Sequence, residues 1–240
     1  MHRRPLGILA LGLIFAGPLA GPAQEAASTD TPPVIYPVGS EPLPPPSPVH
    51  WKGNLATLGS VQLDAATKTV TATGWVNQTE GAIEVLACGV KGKVHESVFV
   101  LTLNPLDLQA ALLLAGCKAG EPMPDIGEGP PQGSPVDIFV EWQAGGETRK
   151  ARAETFVWNI ENNAVLPDTP WTFTGSIVKD GQFKAFAEES LVVTYWDPYA
   201  IVNLPLPCGA NDEILAVNTN TVPPFQTPVT IHFVPHPAAP

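Results

Sequence analysis

Residue types that commonly carry enzyme chemistry stand close together in one apolar segment. The segment 85–100, VLACGVKGKVHESVFV, contains Cys88, His95 and Glu96, followed by Ser97. A histidine beside a thiol activates a cysteine nucleophile, and thiolate and imidazole are also good zinc ligands. Neither four metal ligands at a recognised spacing nor an oxyanion-hole motif is visible. The sequence therefore favours a third interpretation, in which His95 and Glu96 satisfy backbone groups at the edge of a sheet.

The geometry of this set depends on how two flanking apolar runs pair. Their patterns predict strands at about 82–90 and 93–103, with Lys91–Gly92 as a two-residue hairpin loop. In that register Cys88 lies directly opposite His95, with Cβ atoms about 4.5–5.5 Å apart. A longer loop would shift the register and separate the two side chains. A thiol–imidazole contact is thus predicted for the short loop alone.

The first 23 residues have the pattern of a secretory signal peptide. Arg3 and Arg4 precede an apolar run at 6–15, and small residues follow as far as Ala23. The run is too short to span a bilayer. We therefore expect an exported protein, periplasmic or extracellular, that is not inserted in a membrane after the signal is cleaved.

Charge and proline content set further limits on the chain. The formal net charge is −11, which disfavours nucleic acid and anionic headgroups as partners. Proline is abundant, with 28 residues in all, and it is densest before residue 50. Because proline fixes φ and donates no backbone hydrogen bond, we expect residues 24–50 to be a disordered, polyproline-like tether. The folded domain is expected to cover residues 51–235, with a frayed tail at 236–240.

Most of the remaining patterns indicate strands. Hairpins are predicted at Gly145–Gly146 and at Asp180–Gly181, where the turn residues supply positive φ values. One clear helix is predicted at about 105–115, with Asn104 as its N-cap and Gly116 closing it. Its apolar surface predicts burial against a sheet. We therefore expect a single β-rich α+β domain with an antiparallel or mixed sheet and one buried helix.

Three cysteines, Cys88, Cys117 and Cys208, are an odd set for an exported chain. One disulfide plus one free thiol is the natural arrangement, and Cys88–Cys117 is the preferred pair because a strand and a helix end form one local unit. The alternative is three buried thiols, which act as small apolar side chains. No C-x-x-C, P-loop or dinucleotide glycine motif occurs, so we expect no cofactor.

The segment YWDPY, at 195–199, is the best candidate for an exposed aromatic site. Asp197–Pro198 favours a turn there, which would present Tyr195, Trp196 and Tyr199 to a partner such as a glycan.

The segments GKVHESVFV and NPLDLQAALLLAGCKAG resemble the YdjY-like domain family of bacterial exported proteins. Members have a Gly-Lys-x-His-Glu-Ser-like segment and then a helix with an Ala-Leu-Leu run and a following glycine. WTFTGS from Trp171 and AVNTNTVPPFQTPVTI from Ala216 are further similarities, so the resemblance covers most of residues 51–235. The biochemical role of the family is unassigned. Some relatives are described as ferredoxin-like, but three scattered cysteines do not supply the four ligands of an iron–sulfur cluster.

These patterns favour a non-enzymatic module of the cell envelope that binds another protein or a glycan. The reasons are the signal peptide, the proline-rich tether, the β-rich body and the lack of a recognisable catalytic set. The alternative is a metal-binding or redox accessory protein that uses Cys88, His95 and Glu96. A hydrolase built on the same residues is a third hypothesis, so enzymatic activity is left open.

Overall fold

The computed structural model of the chain describes residues 45–237. The predicted signal peptide, most of the predicted tether and the last three residues of the predicted tail lie outside the described residues. None of the helices within residues 45–237 is long and apolar enough to cross a bilayer.

Strands dominate the described part of the chain and short helical segments connect them. The strands are β1 (Val49–Lys52), β2 (Leu55–Leu58), β3 (Val61–Asp64), β4 (Thr69–Val76), β5 (Val85–Gly89), β6 (Ser97–Leu101), β7 (Ser134–Ala144), β8 (Glu147–Arg152), β9 (Val157–Asn159), β10 (Ala164–Val165), β11 (Trp171–Phe173), β12 (Val178–Lys179), β13 (Gln182–Phe183), β14 (Ser190–Val193), β15 (Val202–Asn203), β16 (Leu215–Val217) and β17 (Pro228–Pro235). The helices are α1 (Pro105–Leu114) and α2 (Lys184–Glu188), and 3₁₀ turns occur at Val94–Glu96, Ala153–Phe156 and Pro207–Ala210. The predicted β-rich class is confirmed.

Eight of the strands close into a barrel. Hydrogen-bonded neighbours follow the order β4-β17-β7-β11-β15-β14-β5-β6, and β6 pairs back with β4. The pairs β5–β6 and β14–β15 are parallel, and the other neighbours are antiparallel. A mixed sheet is therefore confirmed, but its closure was not predicted. Closure depends on which distant strands meet, and local sequence patterns carry little information about that.

A single contiguous cluster of apolar side chains fills the centre of the domain. In β17 the residues Val229, Ile231 and Phe233 are buried and alternate with more exposed neighbours, as expected for a barrel wall with one face inward. Trp171 and Phe99 are among the largest side chains that are fully buried. The barrel interior is therefore a packed core.

Helix α1 forms where the sequence predicts it. The Asn104 side chain accepts a hydrogen bond from the Leu106 N–H, and Gly116 has a φ of 99° just beyond the helix end. Leu108 and Leu112 are fully buried on the face that packs against β2, β3 and β4, whereas Leu113 is exposed. The predicted burial against a sheet is confirmed for one face of the helix.

The N-terminal end of the described chain is attached to the first turn of α1. Asp107 is almost fully buried, and its carboxylate accepts hydrogen bonds from the Ser47 N–H at 2.7 Å and from Ser47 Oγ at 2.8 Å. A carboxylate is also favoured at this position by the helix dipole. Strand β1 then begins at Val49, where it pairs with β2.

A network of charged side chains joins β7, β8 and the following 3₁₀ turn. Arg152 Nη2 lies 2.8 Å from Asp137 Oδ1 and 3.0 Å from Glu154 Oε1, and Glu154 is fully buried. His236 Nδ1 lies 2.6 Å from the other oxygen of Asp137. Burial raises the pKa of Glu154, although Arg152 and the Thr169 N–H act in the opposite direction. Arg152 is therefore the cation that compensates a buried carboxylate.

Candidate functional site

The segment that contains Cys88, His95 and Glu96 folds as a crossover between parallel strands. β5 and β6 run in the same direction, and the residue opposite Cys88 is Val100. The predicted hairpin, with Cys88 facing His95, is wrong. Parallel strands are usually joined by a dozen or more residues, but here the short segment 90–96 returns over the face of β5 that carries Cys88.

Gly92 is the residue that allows this short return path. A Cβ atom at Gly92 would lie 2.9 Å from the Cys88 Cβ and 2.9 Å from the Glu189 carbonyl oxygen. Real Cβ atoms essentially never approach other heavy atoms so closely, so a side chain here would displace the crossover. The sequence KGK, which resembles a hairpin turn, instead marks a close backbone approach.

Cys88 is buried beneath the crossover. It is fully inaccessible and packs with Val85, Val100, Val193 and Ala200. Burial raises the pKa of its thiol to about 11, which keeps it protonated at neutral pH. A protonated, inaccessible thiol is neither a nucleophile nor a metal ligand.

The other cysteines do not form the preferred disulfide. Cys88, Cys117 and Cys208 are all free thiols in the structure, so the Cys88–Cys117 bond is not present. Burial also raises the pKa of Cys117 to about 11. Cys117 lies after α1, next to the main apolar core, whereas Cys88 lies in the separate cluster beneath the crossover. The alternative of buried, unpaired thiols fits Cys88 and Cys117, and Cys208 is half-buried.

Ser97 has a structural role at the end of the crossover. It is fully buried, and its hydroxyl donates a hydrogen bond to the Lys93 carbonyl oxygen at 2.6 Å. The Asn77 side chain at the end of β4 donates to the carbonyl oxygens of Val94 and Ser97. These bonds satisfy backbone groups of the crossover, but they come from the serine and the asparagine and not from the histidine and glutamate to which the third interpretation assigned this role.

The charged residues of the crossover form an ion-pair group at the surface. Lys93 Nζ lies 2.7 Å from Glu84 Oε2 and 3.8 Å from Glu96 Oε1, and His95 Nε2 lies 3.1 Å from the same Glu96 oxygen. Partial burial raises the pKa of Glu96, and the charge of Glu84 adds to this effect. Partial burial lowers the pKa of Lys93, but the hydrogen bond to Glu84 and the nearby carboxylate charges together outweigh it, so that the pKa ends above its usual value. The His95 side chain is 78% exposed and does not contact Cys88.

The crossover and the YWDPY turn, predicted as separate candidates, meet at one small cavity. Its volume is about 30 Å³, which is room for one water molecule or one ammonium group. Three carboxyl groups, one ammonium group and four apolar or aromatic side chains line it: Glu84, Val85, Lys93, Ile126, Glu188, Val193, Tyr195 and Asp197. The structure therefore brings Lys93 and Tyr195 together at this cavity and leaves Cys88 outside it.

Asp197 is the most unusual residue of this cavity. It is only 7% exposed, and burial raises the pKa of its carboxyl group to about 6, with Glu188 and Glu84 contributing. The Tyr199 N–H donates to Asp197 Oδ1, and the buried Asn203 side chain holds the Asp197 backbone through its N–H and carbonyl groups. From the sequence, Asp197 was predicted only to form a turn. The burial of its carboxyl group, which makes it a candidate functional residue, is not visible in the local sequence pattern.

The predicted exposed aromatic site is wrong for Trp196. Trp196 is only 8% exposed, and its indole N–H donates to the Leu204 carbonyl oxygen at 2.7 Å. Tyr195 and Tyr199 are half-buried. The Tyr199 hydroxyl accepts a hydrogen bond from Lys179 Nζ at 3.1 Å, so only Tyr195 lines the cavity. The glycine- and proline-rich loop at 119–135 packs on this turn, because its Gly127 N–H donates to the Trp196 carbonyl oxygen.

Metal chemistry gains no support from this arrangement. Within residues 45–237 no group of three or more His, Cys, Asp or Glu side chains is placed to hold a metal ion. Lys93 lies between Glu84 and Glu96, where its ammonium group takes the position that a cation would need.

We expect the substitution Gly92→Ala to destabilise the domain by about 1–3 kcal/mol, because an added methyl group overpacks the crossover against Cys88. Gly53→Ala is a useful comparison, since that glycine has no heavy atom within 4 Å of an added Cβ, although its φ of 60° adds some strain. Urea denaturation of both variants measures the difference. An equal or smaller loss for Gly92→Ala would contradict the close approach at Cys88.

A comparison with protein-family models finds a match between residues 61–234 and the YdjY domain. The match includes the crossover, α1, the YWDPY turn and all strands of the barrel. No curated protein matches the chain, and no solved structure matches it either. The resemblance inferred from GKVHES and the following helix is therefore confirmed, and the chain belongs to the YdjY domain family.

Proposed function

We propose that this chain is an exported, non-enzymatic module of the cell envelope that binds a cationic segment of another protein. The observation that carries the proposal is the buried carboxyl group of Asp197 at a cavity that Glu84 and Glu188 also line. Three carboxyl groups face the one ammonium group of Lys93. A buried carboxylate is unfavourable without compensation, so an additional cation from a partner would be stabilised here.

The rim of the cavity supports a protein partner. Ile126 is 45% exposed and Tyr195 is half-buried. Apolar and aromatic side chains beside a charged group are the usual composition of the energetically important part of a protein interface. The cavity has room for one ammonium group, such as the head group of a lysine, but not for a sugar ring.

The positions of the candidate reactive groups favour binding over catalysis. Cys88 is buried and protonated, and His95 projects into solvent and contacts only Glu96 among the charged residues of the described chain. Export rests on the signal-peptide pattern of residues 1–23, which places the partner in the periplasm or outside the cell.

Short peptides of defined charge test this proposal. We expect hexalysine or hexaarginine to bind the full chain in calorimetry, and Glu188→Gln to weaken binding about tenfold or more, because a charge-assisted contact is lost. Glu147→Gln, on the exposed edge strand β8, is the matched control and removes the same charge from another surface. In parallel, an envelope protein captured by the wild-type chain should be lost from Glu188→Gln and kept by Glu147→Gln.

Two outcomes would contradict the proposal. One is equal weakening by both substitutions, which would indicate attraction to the overall negative charge alone. The other is turnover of a substrate that depends on His95, since this would assign the same surface to catalysis.

A further inference from the structure

A groove separate from the Asp197 cavity lies where β7, β8 and the loop at 218–221 meet. Its volume is about 440 Å³, within the range of small-molecule sites. Apolar and polar residues both line it: Trp142, Ala151 and Phe156 are apolar or aromatic, and Arg149, Lys150, Thr155, Asn220 and Thr221 are polar. Aromatic side chains beside convergent polar and cationic groups are suited to bind a polar ligand with an apolar face.

The pairing of β7 with β8 fixes the relation between the indole and the guanidinium group. Trp142 is directly opposite Arg149 in this antiparallel pair, so both side chains project from the same face. The Trp142 ring packs edge-to-face on Phe156, with centroids 5.8 Å apart and an interplanar angle of 72°. Phe156 is fully buried, so the indole is held against the core.

Arg149 has no anionic partner among the described residues, in contrast to Arg152 at the end of the same strand. Within residues 45–237 no carboxylate oxygen lies within 4.0 Å of it, whereas Arg152 on the same strand contacts three. The ammonium group of Lys150 lies over the Phe139 ring at 5.0 Å, on the opposite face of the strand. An unpaired guanidinium group beside an aromatic groove, in a chain with a net charge of −11, is complementary to an anionic ligand.

The polar side of the groove is held in place by hydrogen bonds to the 3₁₀ turn. Thr221 Oγ1 and Asn218 Nδ2 both donate to the Thr155 carbonyl oxygen, at 2.7 Å and 2.8 Å. The Asn218 N–H donates to the Phe156 carbonyl oxygen at 2.8 Å. The loop that carries Asn220 is therefore fixed relative to Phe156, and a ligand would not have to order it.

We propose that this groove binds a carboxylate-bearing sugar, such as a hexuronic acid unit of an acidic glycan. The apolar face of the sugar ring would lie on Trp142, and its hydroxyl groups would bond to Asn220 and Thr221. Its carboxylate would accept two parallel hydrogen bonds from Arg149, the geometry in which arginine binds carboxylates best. This site is independent of the protein-binding surface at Asp197.

Titration of the full chain with an oligogalacturonate, followed by calorimetry, tests this inference. We expect binding to be weakened about ten- to hundredfold by Arg149→Gln, the loss typical of a charged hydrogen bond. Lys52→Gln removes one positive charge from the exposed strand β1, outside the groove, and should change affinity less than about twofold. Trp142→Leu should abolish binding, and circular dichroism checks that this variant remains folded.

Several outcomes would overturn the inference. They are no binding of oligogalacturonate by the wild-type chain, equal binding of its fully methyl-esterified form, and unchanged affinity of Arg149→Gln. Competition by a sulfated oligosaccharide would contradict specificity for a carboxylate, because it would show that the site binds any anionic sugar. A glutamate peptide that binds more tightly than the uronate would assign the groove to protein instead.

Discussion

Replacement of Arg152 by methionine is expected to destabilise the domain by about 3–5 kcal/mol, the range found when one partner of a buried ion pair is removed. Methionine keeps much of the apolar stem but leaves the fully buried Glu154 without its guanidinium partner. It also removes the 2.8 Å contact that places Asp137 beside His236. Urea denaturation at pH 7 measures the loss of unfolding free energy.

The matched control for this variant is Arg149→Met on the same strand. Arg149 contacts no carboxylate within the described residues, so we expect a change within about 0.5 kcal/mol. The loss of unfolding free energy in Arg152→Met, relative to Arg149→Met, should also depend on pH. Burial raises the folded-state pKa of Glu154, and this effect grows once Arg152 is removed, so the penalty is largest above that raised pKa and shrinks as the pH falls through it. A pH-independent loss in Arg152→Met would contradict the role assigned to Glu154.

Replacement of Asp197 by asparagine is expected to stabilise the protein at neutral pH. The folded-state pKa of about 6 lies above the ordinary value of 3.8, so wild-type stability falls as the pH rises from about 4 to about 6 and then levels off. Asparagine removes this effect and can still accept the Tyr199 N–H. The gain should approach an order of 2–3 kcal/mol at pH 7 and should be small at pH 4.

Thermal or urea unfolding of Asp197→Asn and wild type across pH 4–7 tests this prediction. If the two curves run parallel, Asp197 does not carry a buried charge at neutral pH. When a substitution at a cavity stabilises a protein, the residue that it replaces is expected to serve function at the expense of stability. Asp197→Asn should therefore also lose affinity for cationic peptides, which ties the stability measurement to the proposed binding surface.

Features set by neighbouring residues could be predicted from the sequence. Helix α1 follows from Asn104 and Gly116, which act within one turn of the helix ends. The hairpins at Gly145–Gly146 and Asp180–Gly181 also form as predicted, with positive φ at all four residues. In each case the residues that decide the structure lie next to each other in the chain.

Features that depend on distant contacts were missed. Gly92 meets Cys88 and the Glu189 carbonyl oxygen, and nothing in the sequence KGK distinguishes that contact from an ordinary hairpin turn. The closure of the barrel through β4 and β6 was missed for the same reason. Asp197 was seen as a turn residue because it lies at a cavity formed with segments from other parts of the chain, including the distant one that carries Glu84.

The parallel crossover, which replaces the predicted hairpin, changes the interpretation of the candidate site. Sequence reasoning grouped Cys88, His95 and Glu96 as one potential reactive set, because a hairpin would have placed the thiol beside the imidazole. The parallel crossover separates them, burying Cys88 and leaving His95 exposed. The group that does meet, at the cavity around Asp197, contains charges suited to binding a cation and no accessible nucleophilic thiol.

The rate at which Cys88 reacts with iodoacetamide in the folded protein tests the central claim most directly. Because the thiol is buried and its pKa is about 11, we expect it to be alkylated only as fast as the crossover opens. Peptide mass spectrometry can follow each cysteine, with the half-buried Cys208 as an internal comparison and urea-unfolded protein as the reference. We expect Cys88 to be the slower of the two in the folded chain and to react readily once the chain is unfolded. Alkylation of Cys88 in the folded chain as fast as in urea would contradict it, because such a thiol would be accessible and available for chemistry.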